Sequence, residues 1–116
     1  MKVALKYIVN SVQSLRDLSA LKFKATISFQ LAKLIKSVED ELTIYEETRT
    51  ETVKKYSTDG QQVDEASIPQ FVAELNELME KEVEVYEFKL SHDDLADKDI
   101  SAQQLIQLDW LITNPS

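Results

Sequence analysis

Residues 26–57 read TISFQLAKLIKSVEDELTIYEETRTETVKKYS, and within them Ile27, Leu31, Leu34, Ile35, Val38, Leu42, Tyr45, Val53 and Tyr56 fall mostly at three- and four-residue steps. No Gly or Pro interrupts the run, so the spacing predicts one long amphipathic helix. At ~1.5 Å of rise per residue this helix is ~48 Å long, whereas a compact globule of this chain length is ~35 Å across. The expectation is therefore an elongated body, too thin to envelop its own central helix. Apolar edges left on such a body suit self-association or a partner's groove.

The flanking segments read as material that packs on this rod. Residues 1–5 alternate Val3 and Leu5 with polar neighbours and predict a short strand. Residues 7–18 place Ile8, Val12 and Leu15 at helical spacing, with Thr26 or Ser28 as candidate caps for the helix that follows. Beyond the rod, Asp59-Gly60 carries the sole glycine of the chain and is a stop signal. Residues 61–66 predict a polar loop, and Ser67 with Pro69 opens a second helix ending near Lys81. There Ile68, Phe71, Val72, Leu75, Leu78 and Met79 make the cleanest amphipathic pattern in the chain, and an antiparallel hairpin would cover the Leu42 to Val53 side of the rod. Residues 83–90 form the best strand candidate, with a change of face between Val85 and Tyr86 as at a bulge, paired with the start of the chain in a two-stranded ribbon. Residues 91–99 predict an acidic loop. Ser101 caps a last helix with Leu105, Leu108 and Leu111 or Ile112 inward, Trp110 closes one end of the core or joins an interface, and residues 113–116 fray. The fold class expected is mainly α with a small β element, one domain over residues 1–116.

Composition narrows the chemistry. With 116 residues, 43% of them apolar, one modest core is expected rather than disorder. There is no Cys, which removes disulfides and thiolate zinc sites. No apolar run approaches the ~18 residues that cross a bilayer. The net charge of −8 is unevenly spread: residues 1–36 hold seven basic side chains against Asp17 alone, and residues 37–116 hold six against twenty acids. Such opposite blocks predict attraction within the fold or between copies. Direct nucleic-acid binding is disfavoured, because the Lys residues lack interleaved aromatics and the acidic remainder repels phosphate.

Two clusters invite a chemical reading. Ser91-His92-Asp93-Asp94-Leu95-Ala96-Asp97-Lys98-Asp99 lacks the central Gly and terminal Glu of a calcium loop, and its His has no second ligand for zinc and no nucleophile to activate. A solvated loop is the reading. Glu39, Asp40, Glu41, Glu46, Glu47 and Glu51 make an acidic band on the rod, read as a solvated face with a surface ion pair from Glu51 to Lys55. Tyr45, Tyr56, Tyr86 and Phe29 are read as core and rim residues. No catalytic, cofactor or metal residues are expected. Glu39, Glu46, Glu47, Glu51, Lys33, Lys36 and Trp110 are the candidate partner-binding residues.

The stretches Lys22-Phe23-Lys24-Ala25, residues 29–42 (FQLAKLIKSVEDEL), Glu46-Glu47-Thr48-Arg49 and Lys54-Lys55-Tyr56 resemble a family of small proteins of tailed bacteriophages and their prophages, and residues 71–82 and 100–112 resemble its second half. The resemblance implies a phage or prophage origin, in a virion or the host cytoplasm, and transfers no functional residue. Together with the over-long rod it leads to a non-enzymatic protein acting through protein partners: copies of itself, other virion proteins or a host protein. A virion component or assembly factor is the first expectation. The alternative is an acidic inhibitor that imitates nucleic acid in the basic groove of a host enzyme or defence factor.

Overall fold

The computed structural model describes residues 1–113. Its elements are β1 (Lys2–Ala4), α1 (Leu5–Ser19), α2 (Ala25–Lys55), a 3₁₀ turn (Glu65–Ser67), α3 (Ile68–Met79), β2 (Glu82–Glu84), α4 (His92–Leu95), α5 (Ala102–Gln107) and a second 3₁₀ turn (Asp109–Leu111). The fold is mainly α with a small β element. Helix α2 is unbroken over 31 residues, about 46 Å at the usual rise, in a body measuring 51 × 24 × 23 Å. As the apolar spacing implies, the rod is longer than its body is wide.

Burial divides the rod into two halves. Leu31, Leu34 and Val38 are buried among α1, the 85–90 segment and the C-terminal turns, where Ile8, Leu15, Leu18, Val85, Phe88, Leu90, Leu95, Leu108, Leu111 and Ile112 complete the core. From Leu42 onward no residue of α2 is fully buried. This second half packs against α3: Thr48 and Thr52 share a groove with Leu75, Leu78 and Lys81, and Lys55 near the end of α2 pairs with Glu74 in the first half of α3, as in an antiparallel hairpin. Leu42, Tyr45 and Val53 are half-buried, as are Phe71, Leu75, Leu78 and Met79 of α3, which also has no buried residue. Two helices alone cannot enclose the faces they turn to each other.

Several local expectations are corrected. α2 starts at Ala25 with Lys24 at the cap position, and neither Thr26 nor Ser28 caps it. Ser67 makes no side-chain cap either, because the chain enters α3 through a 3₁₀ turn that already supplies its first bonds. The 83–90 strand shrinks to β2, whose ladder pairs Lys2 with Glu84, Val3 with Val83 and Ala4 with Glu82. Val85 still exchanges bonds with Met1, but the amide of Tyr86 donates to Ser37 Oγ at 3.0 Å instead. The inward side passes from Val83 and Val85 to Tyr86, Phe88 and Leu90, the expected change of face, although the β1 ladder itself ends at Glu84. Leu90 instead makes a parallel bridge with Ile112.

The acidic loop also contains structure. Ser91 accepts from the Asp94 amide while Asp94 accepts from the Ser91 amide, a capping box that winds α4 and buries Leu95. Ser101 caps α5 in the same way with Gln104. Leu108, Leu111 and Ile112 point inward, whereas Leu105 is exposed, since the more covered side of α5 runs along Gln104, Gln107 and Leu108. The Thr113 amide donates to Leu90 O at 2.8 Å, so it is tied rather than frayed, and residues 114–116 lie outside the described part.

The division of burial predicts a division of mutational cost. Leu34→Ala should lower unfolding free energy by ~2–5 kcal/mol, whereas Val72→Ala on α3 should cost under about 1 kcal/mol; chemical denaturation of the two variants checks this.

Candidate functional site

The rod and its α3 companion form an arm whose tip is closed by polar groups. After α2 ends at Tyr56, Gly60 takes φ 78°, the left-handed region that suits glycine. The Asp59 carboxylate accepts from the amides of Gln61 at 2.8 Å and Gln62 at 3.0 Å and from Ser57 Oγ at 2.7 Å. Those bonds, that from Gln62 first, hold its carboxyl down at about 2. Asp64 accepts from the amide and hydroxyl of Thr58, and its own amide returns to Tyr56 O at 2.9 Å. Farther down, Lys55 Nζ lies 2.6 Å from Glu74 Oε1, clamping α2 to α3, and this hydrogen bond holds the Glu74 carboxyl below its ordinary range. The expected Glu51–Lys55 pair is thus replaced: Lys55 reaches across to α3, and Glu51 approaches Lys54 at 3.8 Å.

The outer surface of α3 is the feature the sequence concealed. Ile68, Pro69, Val72, Ala73 and Asn76 are all exposed, fall at offsets of one, four, five and eight residues from Ile68 on one helical face, and include no charge until Glu80 at the C-cap. The helical period of Ile68 and Val72 places them with the residues expected to pack on the rod. The available signal was width: Ile68, Val72 and Met79 broaden the stripe beyond what one partner helix covers.

The candidate residues do not gather into one place. Glu46, Glu47 and Glu51 are exposed along the outer half of α2, and Glu39 is exposed, 4.0 Å from Arg16 Nε. Lys33 extends over two rings, 4.8 Å from the centroid of Phe29 and 5.6 Å from that of Tyr86. Phe29 itself is 63% exposed, a correction to its reading as a core or rim residue. Lys36 borders a groove of about 450 Å³ with apolar walls from Leu21, Phe23, Leu31 and Ile35. Trp110 lies elsewhere, half-buried against α1, with its indole N–H donating to Ser11 Oγ at 3.0 Å while Ser11 donates to Tyr7 O at 2.7 Å. It packs against the core beside the β ribbon.

No family model, curated protein or solved structure matches the chain.

Among the described residues no group of three or more His, Asp or Glu side chains is placed to hold a metal ion, and no helix is long and apolar enough to cross a membrane. His92 is exposed at the start of α4.

Because the folded carboxyl of Asp59 titrates below its usual 3.8, the tip bonds are fully present above that value and are lost as pH falls through about 2. A side-chain carbon NMR titration should find the Asp59 midpoint near 2, and Asp59→Asn should raise exchange of the Gln61 and Gln62 amides; a midpoint at the ordinary value would contradict the geometry.

Proposed function

We propose that the protein works without catalysis, by protein–protein contact, as a virion component or assembly factor of a tailed phage. The observation that carries the reading is the exposed, uncharged face of α3 at the end of a long arm. Placing five uncharged side chains there, two of them large and apolar, leaves apolar surface in water that a partner would cover. An arm built this way projects a docking face well clear of the core that supports it. The phage assignment draws on the resemblance of residues 22–56 and of the second half to phage and prophage proteins. A virion or the host cytoplasm is the matching location.

The alternative, a nucleic-acid mimic, draws on the exposed carboxylates Glu39, Asp40, Glu46, Glu47 and Glu51. They share the rod with Arg49, Lys54 and Lys55, which dilute the field a basic groove would read.

The test is mass spectrometry of gradient-purified particles and assembly intermediates from a culture producing the phage that encodes the protein. The expected outcome is that the wild-type chain co-purifies with them and that Ile68→Glu with Val72→Glu, exposed positions that leave the fold intact by circular dichroism, is lost from them by about tenfold or more. Absence of the wild-type chain from particles and intermediates alike would contradict the proposal.

A further inference from the structure

The solvent side of α2 carries a pattern that α3 and the core do not use. At 100° per residue, Phe29, Lys33, Asp40, Ile44, Glu47 and Glu51 lie within about 60° of one another on the helix circumference. All six are exposed, and Phe29 at 63% and Ile44 at 57% are among the most exposed large apolar side chains of the protein. Along this line the order is apolar, basic, acidic, apolar, acidic, acidic.

That order is self-complementary when reversed. Setting a second α2 antiparallel with its two-fold axis between Lys36 and Ser37 places Phe29 opposite Ile44 of the second copy, Lys33 opposite Asp40, and each pair occurs twice by symmetry. In the same register Lys22, just before the helix, comes level with Glu51 of the second copy. Lys36, one turn from Asp40 on its own helix, reaches the Asp40 of the other copy diagonally. One register thus pairs both exposed apolar residues and every charge of the line except Glu47, which comes level with Thr26. The cation–π contacts of Lys33 with Phe29 and Tyr86 hold its ammonium on this face before any partner arrives.

We infer that the solvent face of α2 is a self-association surface, and that its occupant is the same face of a second copy, antiparallel, in the register just given. The inference rests on the reading of the protein as one that works by contact, and it leaves the α3 face free for a different protein. Overlap from Thr26 to Glu47 makes a seam about 33 Å long. Its two apolar pairs and several ion pairs make a dimer that forms reversibly and weakens with salt.

The placement also explains a feature of α2 that works against helix stability. Lys24 at the cap and Lys22 just before it sit at the N-terminal end, where the macrodipole disfavours cations, Lys33 and Lys36 follow, and the acids lie beyond them. In the antiparallel pair each basic half lies along an acidic one.

The test is sedimentation equilibrium of the full chain across a wide concentration range at low salt. Wild type should dimerise, Lys33→Asp and Asp40→Lys should each weaken dimerisation by about tenfold, and the double variant, which exchanges the charges, should recover to within about threefold of wild type. Because the chain has no native Cys, a second measurement is available: Lys36→Cys, beside the axis, should form a disulfide dimer under mild oxidation far faster than Glu51→Cys, one turn beyond the end of the seam. A strict monomer, a charge-exchanged variant that stays impaired, or equal cross-linking at the two positions would overturn the inference. So would single variants that dimerise normally but vanish from phage particles, since the face would then belong to another protein. A monomer that still co-purifies with particles would reject this self-contact and leave the proposed function standing.

Discussion

A single unbroken helix longer than the body is wide constrains everything else in this protein. At about 46 Å, α2 exceeds by roughly a factor of two the 24 and 23 Å transverse dimensions, and the remaining residues bury only part of it. The chain spends its β ribbon, α1 and its C-terminal turns on the first half, where Leu31, Leu34 and Val38 are buried. Only α3 is left for the second half.

That partition sets the physical character of each end. The core end is fastened by long-range contacts: Met1 to Val85, Lys6 to Glu80 at 2.9 Å, Tyr86 to Ser37 and Trp110 to Ser11. The arm end is fastened by half-buried side chains, by the Lys55–Glu74 clamp and by a tip loop closed on Asp59 and Asp64. Its α2 half is also rich in threonine, a weak helix former; Thr43, Thr48 and Thr52 each turn their hydroxyls back onto the carbonyl four residues earlier. The arm therefore belongs to the less stable part of the molecule. A partner on α3, or a second α2, would add the cover that folding alone does not supply.

How much of this was legible in the amino-acid order follows from what periodicity reports. The rod was legible because thirty residues without Gly or Pro leave helix as the one consistent reading, and β1 was found as the partner of β2 because no other segment offered a strand. The stop at Gly60 and the Ser101 cap were legible from turn and capping chemistry. Periodicity says which side chains share a face and is silent on whether anything covers it, so α3, with the best pattern in the chain, turned out to have no buried residue. Phe29 and Leu105 misled for the same reason. Residues 83–90 showed β composition and the change of face, but beyond Val85 the backbone is held by Ser37 and Ile112 rather than by the β1 ladder. Of the candidate surface, the acidic and basic residues of α2 were visible beforehand; the uncharged α3 face was not.

The central claim is the continuity of the rod, and a distance measures it directly. Spin labels attached at Gln30→Cys and Lys54→Cys, both exposed sites in a chain without native cysteine, are separated by 24 residues of helix, about 36 Å. Pulsed electron-electron resonance on a sample diluted with unlabelled protein should give one narrow distribution near that value. A dominant population at about 10–20 Å, the spacing of two helical pieces folded against each other near Leu42, would contradict the account.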